Sequence, residues 1–315
     1  MILFYTKKSG KLVEVEELES ASWVNITPPF SQEELEYMAQ ELDIPLDFLT
    51  DSLDIDERSR YEREDDVRLV VLNTPIINNA DEPNAAIYIT VPIGIILVDE
   101  LIITITAFEN PILKKFLDGK VRAFDPRDTN LFVLQIFEQN VYRFLLCLKD
   151  LNLKRNLLEQ ELYDSSRNSE LQELLRIEKS LVYFVTSLSA NELMKMKMQR
   201  TDLLRIKDDE DKEDLFSDVI IDNSQALEMA NTYTNILSGT MDAFASIISN
   251  NLNIVMQRLT SITIVLMIPT VIASFFGMNV INGLEEYTSA IYWIIFASIF
   301  LAFLVAWFFR RKRMF

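Results

Sequence analysis

Two apolar stretches near the C-terminus constrain this chain most. One runs from about Leu259 to Phe276 and the other from about Ala290 to Phe309, and neither holds a charged residue. Each is close to the ~20 residues that a helix needs to cross ~30 Å of hydrocarbon. A helix that is apolar on every face belongs in a bilayer or deep inside a large protein. Here the second run ends in Arg310, Arg311, Lys312 and Arg313, which argues against two buried helices of a soluble protein. The link from Asn279 to Ser289 carries Glu285 and Glu286 but no Lys or Arg. The positive-inside rule then puts both termini in the cytoplasm and the link outside. Trp293 and Trp307 lie near the two ends of the second run, where interfacial aromatics belong. Lys7, Lys8 and Lys11 are not followed by an apolar run, so no secretory signal is read there. The expectation is a multi-pass protein of a cell inner or plasma membrane.

Charge separates the membrane part from the rest. The net charge is −18, and the segment from Gln257 onward holds five basic and two acidic residues. The preceding body therefore keeps 25 basic and 46 acidic residues, a balance of −21. That sign is wrong for binding nucleic acid. It suits a surface that handles cations, although acidity also serves solubility. The chain has no His and one cysteine, Cys147, so cysteine zinc clusters and an internal disulfide are excluded. A metal handled with this inventory meets oxygen ligands, which points to hard ions such as Mg2+.

Proline divides the body. Eight of nine prolines fall at or before Pro126, and from Arg127 to Ile268 there is no proline and a single glycine, Gly239. The absence of breakers predicts long helices there and a mixed α/β domain before them. In the α/β domain, Ile2–Tyr5, Leu12–Val15, Trp23–Ile26, Val67–Leu72, Ala86–Thr90, Gly94–Val98 and Ile102–Thr106 read as strands. Ser31 with Glu34 three residues on is a capping box, Pro45 opens a short helix through Leu53, and Pro111 opens another. The polar breaks at 164–168 and 208–211 divide the remainder into helices at about 129–163, 168–206 and 213–276. The last keeps the helical period from Val219 through Val255 and enters the first apolar run without a cap. At 1.5 Å per residue such a helix would be ~95 Å long, which calls for a stalk packed against copies of itself. The expected divisions are 1–126 (cytoplasmic α/β), 127–256 (long cytoplasmic helices), 257–277 (first span), 278–289 (outer loop), 290–309 (second span) and 310–315 (basic tail).

The first span is not uniformly apolar. Asn253, Thr260, Met267 and Ser274 recur at sevens, as do Met256, Thr263, Thr270 and Gly277, offset by three. Together they form a stripe of polar, small or Met residues on an Ile/Val/Leu helix. Polar groups in a bilayer need a partner or a water-filled lumen. A ring of such helices would line a pore, and packing through small and hydroxyl residues is the equal alternative. The stripe holds no charged residue, which suits an ion that keeps its water, as Mg2+ does. Pro269 should loosen the wall, and Gly277 should supply a left-handed turn at the helix end. Gly277-Met278-Asn279 then stands at the mouth, with the Asn279 amide above the axis.

The run Ile268-Pro269-Thr270-Val271-Ile272-Ala273-Ser274-Phe275-Phe276-Gly277-Met278-Asn279, followed by a short loop, a last span and a basic tail, resembles the CorA family of divalent-cation channels. The resemblance spans the whole chain. It implies an α+β membrane protein assembled as a funnel-shaped homopentamer, in which the stalk helix continues into the first span. It implies a selectivity filter at Gly277, Met278 and Asn279, and an inner Asn ring at Asn253. The hydrophobic constriction falls at Met256, Leu259 and Met267, and the hydroxyl ring at Thr270. Thr263 and Ser274 complete the pore lining, and Glu285 and Glu286 give the mouth its negative charge. It also implies a regulatory Mg2+ site between subunits. Phe48-Leu49-Thr50-Asp51-Ser52-Leu53 and Leu215-Phe216-Ser217-Asp218-Val219 resemble its two halves, with Asp51 and Asp218 as ligands. Ser274 stands where many relatives carry Gly, and Phe276 replaces a frequent Tyr.

The function expected is passive influx of Mg2+, with Co2+ or Ni2+ admitted by the same pore and closure by cytoplasmic Mg2+. A Zn2+ transporter of the same architecture is the alternative within transport. A non-conducting coiled-coil scaffold tethered to the membrane is the alternative outside it. The expected partners are other copies of the chain, divalent cations and the lipid bilayer. No cofactor is expected, and no nucleophile–base pair or phosphate-binding glycine loop suggests an enzyme.

Overall fold

The computed structural model describes residues 1–80, 82, 84–164, 168–278, 283 and 289–312. It divides into two compact units, Met1–Gly239 and Thr240–Phe315. The first holds a seven-stranded sheet: β1 (Ile2–Lys8), β2 (Lys11–Val15), β3 (Trp23–Ile26), β4 (Arg60–Glu64), β5 (Val67–Ile77), β6 (Tyr88–Val98) and β7 (Leu101–Ile105). The strand order is β2-β1-β3-β7-β6-β5-β4. Neighbours are antiparallel except β3 and β7, which run parallel because the chain leaves β3 and returns much later.

Helices cover the sheet on both faces. After β3 come α1 (Gln32–Glu41) and α2 (Leu46–Thr50), then a 3-10 turn at Asp51–Leu53. The capping box at the start of α1 is formed: Glu34 N–H donates to Ser31 Oγ at 3.2 Å and Ser31 N–H to Glu34 Oε2 at 2.7 Å. Leu35 and Met38 of α1 and Phe48 and Leu49 of α2 pack in one core with Val24, Ile26, Val71, Ile96 and Ile103. Side chains alternate along a strand, so Trp23 points the other way. There it meets Phe132 and Phe124 edge-on, at ring separations of 5.1 and 6.0 Å. Phe132 belongs to α4 (Thr129–Asp164), and the short α3 (Pro111–Leu117) adds Phe116 to that cluster. The Asn110 side chain caps α3 by accepting from Ile112 N–H, with Pro111 in the first turn.

Tyr88–Val98 form one strand where two, Ala86–Thr90 and Gly94–Val98, were expected. Pro92 does not interrupt it, because its nitrogen sits where no ladder bond is due. Pro92 lies opposite Asn73, whose N–H and C=O both point away from β6. Asn73 N–H donates to Ser59 Oγ and Asn191 Oδ1, and its carbonyl accepts from Asn140 Nδ2 and Asn191 Nδ2. The missing N–H of Pro92 therefore faces away from β5, past the last β6–β7 pair at Gly94 and Ile105. Asn140 lies on α4 and Asn191 on α5 (Asn168–Thr201), so two helices complete the strand edge that β4 leaves open beyond Arg60–Val71. Ser180 of α5 does the same for β6, accepting from Ile87 and Tyr88 N–H.

The long helices exist, with shifted ends. α5 stops at Thr201, short of the expected 206, and α6 covers Glu210–Phe276, starting earlier than 213. The acidic run splits between a loop and a helix start: Asp209 accepts from Lys212 N–H, and Glu210, Asp211 and Glu213 occupy the first turn. Negative charge is favoured there by the helix dipole. Lys212 reaches back to Asp128 at 2.9 Å, tying the starts of α6 and α4. The second unit consists of the rest of α6 and α7 (Ala290–Arg311).

Candidate functional site

Three described helices are long and apolar enough to cross a membrane: α4, α6 and α7. Burial separates them. In α4, 61% of the most apolar window is buried against the sheet and α5, whereas in α6 and α7 the share is 6% each. Most of the apolar window of α4 is buried within the first unit. Leu266, Phe275, Trp293, Phe296 and Phe303 are each more than 60% exposed. Leaving such surface in water costs ~25 cal/mol per Å2, so bilayer or further protein must cover it.

The two helices of the second unit meet along one face of each. On the apolar run of α6 the covered positions include Ser261, Val265, Ile268 and Ile272, with Pro269 beside them; on α7 they include Ile294, Ser298, Ala302 and Val305. A cavity of about 590 Å3 is lined by both, through Ile272 and Phe276 and through Ala290, Trp293 and Ile294. Asn253, Met256, Leu259, Thr263, Met267, Thr270 and Ser274 are all exposed. At roughly 100° per residue, the stripe is centred about 150° around the helix from the face turned to α7. Among the described residues the chain therefore covers the back of α6 itself and leaves the polar and methionine stripe exposed. Thr260, Thr263 and Thr270 each donate their hydroxyl hydrogen to the carbonyl four residues earlier, at 2.8, 2.8 and 3.0 Å.

The end of α6 departs from expectation. Gly277 is not left-handed: its N–H still donates to Ala273 C=O at 2.9 Å, and the positive-φ glycines are Gly10, Gly119 and Gly283. Closeness explains the residue better, since a Cβ at 277 would lie 3.0 Å from the Ala273 carbonyl. Met278 is exposed. Asn279, Glu285 and Glu286 lie outside the described residues. At the other end of α7, Arg311 sits 5.7 Å from the Trp307 ring centroid, which brings the start of the basic tail onto that ring.

The two acids stand on different elements of the first unit. Asp51 opens the 3-10 turn after α2. Its neighbour Ser52 is buried, donates to Phe48 C=O at 2.8 Å, and fills the space over Gly94 of β6. Asp218 is exposed on α6, on the turn whose other side buries Phe216 and Val219. No hydrogen bond or ion pair joins the two acids. Among the described residues, no three acids or cysteines gather as a metal site within the chain.

Two charged residues went unnoticed in the sequence. Arg60, the first residue of β4, gathers three carboxylates. Its Nη2 lies 2.8 Å from Asp51 Oδ2, its Nε 2.9 Å from Glu57 Oε1, and its Nη1 bonds Glu62. Partial burial disfavours the Arg60 cation, but the bonds to Glu57 and Glu62 outweigh this and raise its pKa above the ordinary value. β4 escapes pattern reading because Arg60–Glu64 lacks apolar alternation. Its signal is the two-residue turn Asp65-Asp66, with Asp65 at φ 47° between paired Glu64 and Val67. The second is Lys195, buried on α5, where desolvation pushes its pKa down to about 7.

Comparison with known proteins bears on both regions. The family model described as CorA-like Mg2+ transporter protein matches residues 19–311. The "Cobalt/magnesium transport protein CorA" of Methanocaldococcus jannaschii is 26% identical over 261 residues, covering 82% of this chain and 79% of its own length. The complete structure of the CorA magnesium transporter from that organism superposes with a TM-score of 0.83 at 22% identity, covering 99% of this chain and 98% of that one. The ZntB cytoplasmic domain from Vibrio parahaemolyticus matches with a TM-score of 0.60 at 12% identity, over 79% of this chain and 98% of that one, a likeness of fold alone.

Proposed function

This chain belongs to the family of CorA-like Mg2+ transporter proteins, and on that premise we propose that it is a Mg2+ channel closed by cytoplasmic Mg2+. The observation that carries this reading is the bare stripe of α6. The chain's own α7 lies on the opposite face, so the stripe from Asn253 to Ser274 is free to face copies of itself around an axis. Five copies, the number implied by the family resemblance, would enclose a lumen of amides, hydroxyls and thioethers. Met256, Leu259 and Met267 would form the constriction that excludes water when closed. Asn253 and Thr270 would ring the lumen on either side of it, with Thr263 and Ser274 between and beyond.

Gly277, Met278 and Asn279 form the filter, where a ring of Asn279 amides accepts hydrogen bonds from the water of a hydrated ion. Glu285 and Glu286 concentrate cations at the mouth. Both termini are cytoplasmic, as the basic tail requires. Influx follows the electrochemical gradient. The curated relative is named for cobalt and magnesium, and the neutral stripe admits Co2+ and Ni2+ by the same route. The absence of His and the intact Gly-Met-Asn run favour Mg2+ over Zn2+.

The regulatory ion bridges Asp51 of one subunit and Asp218 of the next. Its donor set fits Mg2+: two carboxylates and no soft ligand, to which Mg2+ adds the several waters that it retains. An ion held more tightly in the closed ring favours closure by its differential affinity. As cytoplasmic Mg2+ falls, mutual repulsion of the acidic units loosens the ring.

The test is Mg2+ flux into liposomes holding the purified full chain, wild type beside Asn279→Ala, with Mg2+ varied on the cytoplasmic side and Zn2+ and Co2+ as competitors. Flux that requires Asn279 and stops as cytoplasmic Mg2+ rises is expected. An electrically silent protein, folded and inserted, in which Asn279 is freely replaceable would favour the scaffold, and flux carried by Zn2+ alone would favour the zinc reading.

A further inference from the structure

Arg60 places a positive charge directly on Asp51. All three nitrogens of its guanidinium are committed, each to a different carboxylate: Nη2 to Asp51, Nε to Glu57 and Nη1 to Glu62. The three acids come from the 3-10 turn, the loop after it and β4. One cation against three anions leaves the cluster at −2, so it still attracts a divalent ion. Asp51 is the acid through which such an ion would be sensed. It holds Arg60 by Oδ2 alone, and its side chain is 42% exposed.

We infer that Arg60 is a built-in competitor of the regulatory cation, setting the Mg2+ concentration at which the channel closes. This rests on the reading of Asp51 as a regulatory ligand. A cation that takes the other carboxylate oxygen of Asp51 meets the guanidinium charge a few ångströms away. A cation that displaces Arg60 must break a hydrogen-bonded ion pair, and Glu57 and Glu62 keep the guanidinium close enough to return. Either way the site needs more Mg2+ than a free Asp51 would. The competition raises the closing threshold without touching the pore.

The experiment measures the cytoplasmic Mg2+ that half-closes the full-length channel in liposomes, and the Mg2+ that half-maximally raises the Tm of the same protein in detergent. The second readout reports binding without conduction. Because Arg60 and Asp51 are both partly exposed, Arg60→Gln should lower both concentrations by roughly two- to fivefold, the range of a screened ion pair. Arg60→Lys, which keeps the charge and loses the fork, should fall between. Asp51→Asn should raise both concentrations, and adding Arg60→Gln to it should change nothing further. An unchanged or higher Mg2+ requirement in Arg60→Gln, with Asp51→Asn still shifting it, overturns the competition and leaves the regulatory site standing. An Arg60→Gln effect that persists without the Asp51 carboxylate also overturns it. No effect of Asp51→Asn removes the regulatory reading itself, and the competition with it.

Discussion

Replacing Lys195 by methionine exchanges a buried amine for a thioether of similar length, and the effect on stability should change sign with pH. Lys195 has no exposure. Its Nζ donates to Asn223 Oδ1 of α6 at 2.8 Å and lies 5.4 Å from the Phe137 ring centroid of α4. One acceptor is too few for the three donors of an ammonium group. Burial thus lowers the pKa from 10.5 to about 7, against a smaller upward pull from Glu192. The unfolded chain keeps the ordinary value. Between these two pKa values the unfolded state binds more protons, so wild-type stability rises with pH across that window. Below it both states are charged and the whole penalty stands. A gap of about 3.5 units, at ~1.4 kcal/mol each, is on the order of 5 kcal/mol. Methionine removes that penalty and leaves Asn223 Oδ1 without its donor, which costs roughly 1–3 kcal/mol. Lys195→Met should therefore be more stable than wild type by about 2–4 kcal/mol near pH ~6 and less stable by up to about 2 kcal/mol near pH ~10, where about 1 kcal/mol of the penalty remains. Thermal unfolding of the full chain in detergent, followed by fluorescence over this pH series, reads the difference. A constant offset between the two pH curves would refute the reasoning, because it would mean that Lys195 does not change charge on folding.

Other substitutions probe the positions that hold the site. Asn191→Leu removes partners from both the N–H and C=O of Asn73, and should lower the stability of the full chain by about 1–3 kcal/mol. Gly94→Ala drives a Cβ into Ser52 and to 2.7 Å from Ile105 Cγ2; it should cost about 1–3 kcal/mol and, by shifting the turn that carries Asp51, change the Mg2+ needed for closure. Ser31→Ala breaks half of the capping box of α1 and should cost about 1 kcal/mol, seen as faster hydrogen exchange at the Glu34 amide.

The sequence was most legible where one local rule decides. Ser31 and Glu34 foretold their own hydrogen bonds, and the proline-free stretch foretold helices because nothing in it could break one. It was least legible where a residue serves a partner far along the chain. Pro92 looked like a strand break, and only the pairing with Asn73 shows that its nitrogen owes no bond. Arg60 and Lys195 gave no signal, because apolar periodicity says nothing about which lysine or arginine is enclosed. The stripe of α6 was visible as a heptad pattern. Its position opposite α7 was not, since that depends on which face of α6, Ser261 included, is covered in the fold. Asp51 and Asp218 were singled out through resemblance. Within one chain the fold presents them separately, Asp51 tied to Arg60 and Asp218 bare on α6.

The hydroxyl geometry of α6 has a consequence for charge selection. Thr260, Thr263 and Thr270 each commit their only hydrogen to the helix backbone. What remains for a neighbouring water is lone pairs. A lumen lined this way is a one-way surface: it receives hydrogen bonds and offers none from these residues. Water around a cation points its hydrogens outward and finds acceptors along the wall, whereas water around an anion points its oxygens outward and finds no donor on these three threonines. A Thr263→Val, Thr270→Val channel that kept its full preference for cations over anions would contradict this. Beside the carboxylates proposed for the mouth, part of the preference for cations would thus be written in the orientation of neutral hydroxyls, along a helix face that carries no charge at all.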